Sequence, residues 1–470
     1  MPIDQIQIKA QDLALGMFVS GLDRPWSQTP FPLQGFYVRD DKDLAELRAY
    51  CSHVYIDVTK GRGPVAADGA AHAKGSAQSA PAEPTDPAAR FGLRKDQPIS
   101  LASHARPAPI GIRKGIYETT VPMRVEALQA ERIVRTLKGQ LTLATRQILK
   151  GRPLDYPALK RCVDDMVGSV LRCPDAFTWL LRLREKDRQS HDHSLRSALW
   201  AVQYARFVGM PKEEIATLCL GTLLKDIGKM RLPAGLLARP NRTEEEEQEY
   251  RRFVFHGVEM LRDAGNVEPK VIAVVRYHCE RLDGSGFPEG VGGNNIPLLA
   301  RIAGIATVYD AISNPRESAQ PVAPSRAVSM LYNMRNSAFQ EDLVVTFIQS
   351  AGLYPTGTLV ELTTGDLGVV LDQHQSSRLT PRIAVLDRWG EDLNRGFIII
   401  DLKDQEQSRR QLLQSGRDNV ASVAKIAIAR DLEPTGYDID FAKLSATLLG
   451  AREEQVKSGL LATLKQRLRG

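Results

Sequence analysis

The sequence predicts a mainly α protein: a helical bundle with a small N-terminal α/β unit, a disordered linker and a small C-terminal β appendage. Three observations lead to this prediction. From about residue 121 to residue 350, apolar residues recur at three- and four-residue spacing in segments bounded by glycine or proline, which is typical of amphipathic helices. Short runs that alternate β-branched and aromatic residues occur in 1–60 and in 355–402, which is typical of strands. The stretch 61–90 contains ten alanines and four prolines but no aromatic residue, so it is not expected to contribute to a core.

The composition limits the class of protein. A chain of 470 residues is expected to contain two to four domains, and 43% hydrophobic with 25% charged residues excludes wholesale disorder. There is no run of about 18 apolar residues and no basic start followed by an apolar run, so neither a membrane span nor a signal peptide is expected. The 62 basic and 56 acidic residues are interspersed, which does not indicate nucleic-acid binding. The five cysteines lack CxxC spacing, which favours reduced thiols and a cytoplasmic location.

Residues 1–60 are expected to form the N-terminal α/β unit. The runs GMFVSGL and HVYIDV are its predicted strands, and DKDLAELRAYC between them is its predicted helix, because Leu44, Leu47 and Cys51 have helical spacing. Residues 61–115 are the predicted linker. So few large apolar side chains cannot offset the entropy that is lost when such a segment becomes ordered.

The rest of the chain is divided into four regions. Residues 116–180 are a predicted helical connector, and its amphipathic segment also suits pairing with a second chain, so a homodimer is one prediction. Residues 181–350 are the main helical domain, in which Thr243 and Glu246 predict a capping box. Residues 351–402 are the β appendage, predicted from three strand-like runs, and residues 403–470 are expected to form a helical C-terminal tail.

Four short motifs in the helical domain carry side chains suited to chemistry. None is specific by itself, since a lone histidine on a helix is more often structural than a ligand, and DGSG is usually a turn. Their order and spacing together are more informative. They are SHDHSLRS with His191 and His193, LLKDIGK with Lys225, Asp226 and Lys229, YHCERLDGSGFPEG with His278 and Cys279, and RIAGIATVYDAISNPR with Thr307, Asp310 and Arg316.

Together these motifs resemble the HD-GYP family, a branch of the HD superfamily of metal-dependent phosphohydrolases. LKDIGK stands where the family has HDIGK, and HCERLDGSGFP stands where it has HHERWDGSGYP. LGMFVSGLDRPWSQTPFPLQGF resembles the N-terminal unit that often precedes such domains in bacteria, so the resemblance covers about residues 1–60 and 180–375. It implies a helical HD-superfamily bundle that hydrolyses cyclic di-GMP, a bacterial second messenger. Two or three iron or manganese ions, held by histidines and carboxylates, would activate the water.

The chain departs from the family at most of the implied metal-ligand positions. His193, Asp226 and His278 keep the family residue, whereas the other four positions hold Lys225, Phe253, Cys279 and Thr307. A protonated lysine cannot bind a metal and repels a cation beside Asp226, with which it can pair instead. We therefore expect no metal cofactor and no useful rate of hydrolysis. The alternative is one divalent ion (zinc, manganese or iron) held by His193, Asp226, His278 and Cys279, with His256 as a further candidate ligand.

The implied ligand-binding positions are better preserved. Lys229 and Arg316 stand at phosphate-contact positions of the family, although ordinary surface salt bridging also explains them. Gly286-Phe287-Pro288 replaces the family's GYP with the loss of a single hydroxyl group.

The sequence thus predicts a degenerate, non-catalytic HD-GYP homologue in bacterial cyclic di-GMP signalling. Its predicted partners are cyclic di-GMP or linear pGpG, and a signalling protein that docks on the Gly286-Phe287-Pro288 loop. The alternatives are an active metal-dependent cyclic di-GMP phosphodiesterase with an altered metal site, and a purely structural interaction module.

Overall fold

A computed structural model of the chain describes residues 5–23, 36–38, 41–57, 107–113, 115–183, 190–239, 241–315, 322–374, 377–386 and 397–433. By their contacts the residues divide into two units, Met1–Arg90 and Phe91–Gly470, and each is described by itself.

The described part of the N-terminal unit is a four-stranded antiparallel sheet with one α-helix. Val54 and Ile56 of one strand are buried, and Ile56 pairs with buried Val19 of the neighbouring strand, so the alternation in the sequence produces the apolar face of the sheet. The predicted α/β unit is confirmed, and two strands that the sequence pattern did not predict, the first and the third, complete it. The elements are β1 (Gln5–Lys9), β2 (Phe18–Leu22), β3 (Phe36–Tyr37), α1 (Asp41–Tyr50) and β4 (His53–Asp57), and the strand order is β1-β4-β2-β3.

Most of the predicted linker, residues 61–106, lies outside the described residues. The end of the predicted linker, residues 107–113, is described and is hydrogen-bonded to the helical bundle. The amide of Ile110 donates a hydrogen bond of 2.8 Å to Asp342 Oδ2. The side chain of Gln340 donates another to the backbone of the same segment. Residues 107–113 are therefore anchored by polar contacts, which the scarcity of apolar residues did not predict.

The second unit is mainly helical, as the sequence predicts. The capping box at the start of one helix is confirmed, because Thr243 and Glu246 each accept a hydrogen bond from the other's backbone amide. The helices of the bundle are α2 (Met123–Leu149), α3 (Tyr156–Arg172), α4 (Pro174–Leu183), α5 (Ser190–Val208), α6 (Lys212–Leu224), α7 (Ala234–Ala238), α8 (Glu244–Arg251), α9 (Phe253–Asp263), α10 (Pro269–Tyr277), α11 (Leu298–Ser313), α12 (Pro324–Tyr332) and α13 (Glu341–Ala351).

Helix α6 runs through the middle of this bundle. Every residue from Ile215 to Leu224 is buried, which matches a sequence that is apolar on all sides rather than along one stripe. It packs against α3, α5 and α10. Because α6 ends inside the bundle, Lys225, which follows Leu224, lies in the protein interior.

The predicted β appendage is a five-stranded antiparallel sheet in the described part of the chain. Trp179 of α4 is fully buried among apolar residues of this sheet, including Leu359 and Val369, so sheet and helices share a core. The strands are β5 (Leu359–Leu362), β6 (Leu367–His374), β7 (Ser377–Val385), β8 (Ile398–Asp401) and β9 (Ile428–Asp431), in the order β8-β7-β6-β5-β9.

The prediction of a helical tail from residue 403 needs correction over its described part. Residues 403–433 contain α14 (Gln405–Gln414), but they end in β9, which pairs with β5. An unpaired sheet edge favours the addition of a strand, and this contact between distant segments overrides the local pattern. Residues 434–470 lie outside the described residues. None of the described helices combines the length and the apolar character needed to cross a lipid bilayer.

Candidate functional site

The predicted site residues come from segments that are far apart in the chain and pack side by side. Helix α5 packs against α6 and α11, and α10 packs against α6 and α9. The residues are His193 on α5, Lys225 and Asp226 after α6, Lys229 on the 3-10 helix Ile227–Arg231, Phe253 on α9, His278 and Cys279 directly after α10, and Thr307 on α11.

Asp226 is the centre of the first part of the site. Its carboxylate pairs with the ammonium of Lys225, lies 2.5 Å from Lys229 Nζ, and accepts a hydrogen bond of 3.2 Å from Ser194 Oγ. The Lys225 side chain is completely buried, whereas those of Lys229 and Asp226 are 15% and 14% exposed. Two ammonium groups thus share one carboxylate, and the predicted pairing of Lys225 with Asp226 agrees with this geometry.

The position of Lys225 explains how a buried lysine is accommodated. It caps the C-terminus of α6, where the helix dipole favours a cation. A buried ammonium is costly unless a charged partner compensates it. Asp226, the next residue in the chain, provides that partner.

His193 is held by a second carboxylate. Its Nδ1 lies 2.7 Å from Asp310 Oδ2, and Arg196 Nε donates a hydrogen bond of 2.8 Å to Asp310 Oδ1. Burial, followed by the charge of Lys225, lowers the pKa of His193 to about 4, so the neutral imidazole donates its Nδ1–H to Asp310. Burial alone would raise the pKa of Asp310, but Arg196 and His193 hold that pKa below its usual range. His193 Nε2 lies 4.0 Å from Asp226 Oδ2, so the two ring nitrogens of His193 face the carboxylates of Asp226 and Asp310.

His278 and Cys279 form the next part of the site. His278 is 2% exposed, and its Nδ1 donates a hydrogen bond of 2.8 Å to the carbonyl of Val275. Its Nε2 is then the acceptor for the Cys279 thiol, at 3.2 Å. Burial, followed by the charge of Lys225, lowers the pKa of His278 to about 3, and burial raises the pKa of Cys279 to about 11. At pH 7 Cys279 is therefore a thiol, and its proton occupies the imidazole lone pair that a metal would need.

Phe253 forms an apolar wall of the site. The residue is 2% exposed, and its ring centroid lies 6.0 Å from that of His278 and 6.1 Å from that of Phe287. The ammonium of Lys229 lies 4.7 Å from the Phe253 centroid, which is a cation–π distance. The aromatic side chain thus helps to place Lys229, which also contacts Asp226.

The loop after α10 folds back on the site. Gly286 has no space for a side chain, because a Cβ there would overlap the backbone of residues 279–281. The amide of Phe287 donates a hydrogen bond of 3.3 Å to the carbonyl of Cys279, and the Phe287–Pro288 peptide is cis. The predicted Gly286-Phe287-Pro288 loop therefore lies beside the site, with Phe287 partly buried against Phe253.

Other predicted site residues are not drawn into these contacts. The hydroxyl of Thr307 donates a hydrogen bond of 2.7 Å to Ala303 O within its own helix. Arg316 lies outside the described residues, so its predicted phosphate contact stays a prediction. Sequence reasoning gave no role to Asp310 and did not name Arg196. Arg196 lies three residues after His193 and Asp310 lies three residues after Thr307, so each shares a helical face with a predicted site residue.

The residues present do not fit a bridged pair of metal ions. In the described part of the chain, no group of three or more histidine, cysteine, aspartate or glutamate side chains is arranged to hold a metal. The carboxylate of Asp226 faces two ammonium groups, and the lone pair of His278 faces a thiol. The alternative of a single metal at His193, Asp226, His278 and Cys279 gains no support from this arrangement and stays a prediction.

Comparison with known proteins decides the family. Residues 180–343 match a family model described as "HD domain", and residues 5–159 match one described as "Domain of unknown function (DUF3391)". A cyclic di-GMP phosphodiesterase of Pseudomonas aeruginosa is 32% identical over 382 residues, which cover 81% of this chain and 84% of that protein. The chain belongs to the HD-GYP family. The resemblance read from the motifs is thereby confirmed, as is the mainly α class of this HD-GYP protein.

Other HD-GYP relatives match over shorter stretches. The cyclic di-GMP phosphodiesterase response regulator RpfG of Xanthomonas campestris is 33% identical over 138 residues, 29% of this chain and 36% of that protein. A solved HDGYP protein from Bdellovibrio bacteriovorus covers 73% of this chain and 98% of its own, with 13% identity and a TM-score of 0.40. HD domains are typically dependent on divalent metals, and the described residues of this HD-GYP chain contain no group of three or more histidine, cysteine, aspartate or glutamate side chains placed to hold one.

Proposed function

We propose that this HD-GYP protein is a non-catalytic regulator in bacterial cyclic di-GMP signalling, which binds cyclic di-GMP or linear pGpG without hydrolysing it. The observation that carries the proposal is the ion pair between buried Lys225 and Asp226. A metal ion bound to Asp226 would have to displace this ammonium or remove its proton. The names of the relatives, which are cyclic di-GMP phosphodiesterases, support the class of ligand.

The two histidines of the site support the loss of catalysis. As the family resemblance implies, hydrolysis needs metal ions that activate a water. Without metals, a general base with a pKa near 7 would be required. The pKa values of His193 and His278 are about 4 and about 3, so both imidazoles are weak bases at neutral pH.

The second candidate is an active cyclic di-GMP phosphodiesterase. The observation in its favour is the 32% identity with the Pseudomonas aeruginosa protein of that name over 81% of the chain. On this alternative, Lys225 would be displaced when metal binds.

Metal content and hydrolysis separate the two candidates. The full chain would be loaded with Mn²⁺ or Fe²⁺, desalted and analysed by mass spectrometry, and its action on cyclic di-GMP and pGpG would be followed by chromatography. We expect less than one metal per chain and intact nucleotides. Two metals per chain, with turnover matching that of an active relative assayed in parallel, would refute the proposal.

The proposal extends to a protein partner and to a location. The Gly286-Phe287-Pro288 loop, with Phe287 partly exposed, is the surface that we propose for a signalling partner. A cytoplasmic location is favoured by the five cysteines without CxxC spacing.

A further inference from the structure

The charge of the site is opposite to that of a metal-binding centre. Among its described side chains, three cations (Arg196, Lys225 and Lys229) form ion pairs with two carboxylates (Asp226 and Asp310). Divalent cations select sites with several anionic or neutral donors. An excess of positive charge in a partly closed site instead attracts an anion.

The three cations differ in access to solvent. Lys225 is 0% exposed, whereas the side chains of Lys229 and Arg196 are 15% and 19% exposed. An anion that enters from solvent would therefore meet Lys229 and Arg196 first. Lys225 is enclosed by the protein and compensates the charge of Asp226.

We propose that this cluster binds the phosphodiester of a guanine dinucleotide directly, without a divalent metal, with Lys225 as the fixed internal cation. The inference rests on the proposed function and names how that ligand is held. Lys229 and Arg196 contact the phosphate oxygens, with Arg196 placed by Asp310 and Lys229 by Asp226 and Phe253. Lys225 is a positioning residue: it does not touch the ligand, but it balances Asp226 so that the charge of Lys229 acts on the phosphate.

This arrangement predicts that replacing Lys225, which does not contact the ligand, weakens the binding of the ligand. Lys225→Met keeps a long apolar side chain but removes the internal cation, so Asp226 is left to be balanced by Lys229. Loss of one unit of positive charge close to the phosphate is expected to weaken phosphate binding about 10- to 100-fold. The same change reduces the salt dependence of binding.

The experiment is calorimetric titration of the full chain with cyclic di-GMP, in buffer with a chelator and in buffer with Mn²⁺, at two salt concentrations. Lys212→Met is the matched control, since Lys212 is an exposed residue at the other end of α6, about 20 Å from Lys225. We expect equal affinity with chelator and with Mn²⁺, weaker binding at higher salt, and unchanged binding by Lys212→Met. Lys225→Met should bind at least tenfold more weakly and with a flatter salt dependence, although its melting curve stays cooperative.

The outcomes distinguish this inference from the proposed function. Binding that requires Mn²⁺ but leaves the nucleotide intact overturns metal-independent recognition and leaves a non-catalytic regulator. Hydrolysis of the nucleotide overturns the proposed function. Unchanged affinity of a folded Lys225→Met variant, or no binding of cyclic di-GMP in either buffer, overturns the inference. The comparison of chelator with Mn²⁺ uses the unaltered chain, so it decides the question even where the variant does not fold.

Discussion

Replacing Asp226 by asparagine is expected to destabilise the helical unit more than removing the lysine that pairs with it. Asp226 faces two ammonium groups, one of them fully buried, and also accepts a hydrogen bond from Ser194. Asp226→Asn keeps the size of the side chain and its carbonyl acceptor. It removes the negative charge that Lys225 and Lys229 share.

The structure sets the magnitudes of these effects. Removing one partner of a buried ion pair costs about 3–5 kcal/mol, and the full burial of Lys225 places Asp226→Asn in that range. Lys225→Met removes the buried charge itself and leaves Asp226 2.5 Å from Lys229 Nζ, so we expect a cost of about 1 kcal/mol. Lys225→Ala also loses the packing of the buried stem, which adds about 2–3 kcal/mol.

Urea unfolding followed by circular dichroism and tryptophan fluorescence measures these differences, since Trp179 and Trp200 are buried in the helical unit. Asp226→Asn should unfold at a clearly lower urea concentration than Lys225→Met. Asp263→Asn, at an exposed position on α9, is the control and should stay within about 0.5 kcal/mol of the unaltered chain. If Asp226→Asn proves as stable as Lys225→Met, the carboxylate does not hold the buried ammonium.

Three further predictions concern acid stability, helix capping and metal binding. The buried imidazole of His278 has a pKa of about 3 in the folded chain, whereas the same imidazole has a pKa of about 6.5 in the unfolded chain. As the pH falls from 6.5 towards 3, only the unfolded chain binds this proton, so the free energy of unfolding decreases by about 1.4 kcal/mol per pH unit. His278→Asn should flatten the pH dependence of urea unfolding by that amount between pH 6 and pH 5, and equal slopes would contradict the assignment. Thr243→Ala removes the acceptor of the capping box, so amides at the start of α8 should exchange with solvent about fivefold faster, for a loss of about 1 kcal/mol, while those of α6 keep their rates. The family residues are restored by Lys225→His, Phe253→His, Cys279→His and Thr307→Asp in one variant. Its Mn²⁺ content, measured by mass spectrometry, should rise to at least one ion per chain, whereas the control Lys212→His should stay without metal.

The fold was predictable from the sequence where local patterns determine structure. The helices follow from apolar periodicity within each segment, and the capping box follows from two residues three positions apart. Strand β9 was not predictable in this way, because Ile428–Asp431 is a strand only through its pairing with Leu359–Leu362 of β5. The anchoring of residues 107–113 likewise depends on Asp342, which is 232 positions from Ile110.

The same distinction applies to the site. The pairing of Lys225 with Asp226 was predictable because the two residues are neighbours and one of them cannot bind a metal while protonated. The contact of His193 with Asp310 joins residues 117 positions apart, and a sequence pattern does not show which of several carboxylates a histidine will meet. The family resemblance points to Thr307, whereas the carboxylate that contacts His193 is that of Asp310 on the same helix.

The pairing of Asp226 with Lys225 has an electrostatic cost for any metal ion that would bind this carboxylate. A monovalent ammonium and a divalent ion about 4 Å apart repel each other by about 8 kcal/mol at an effective dielectric constant of about 20. Removing a proton from a lysine of ordinary pKa, about 10.4, instead costs about 5 kcal/mol at pH 7, which lowers metal affinity by more than about 1,000-fold. Lys225 is fully buried, so it cannot turn towards solvent unless the end of α6 opens. The carboxylate of Asp226 is thus held by the lysine, while Nδ1 of His193 contacts Asp310 and Nε2 of His278 accepts the hydrogen bond of the Cys279 thiol.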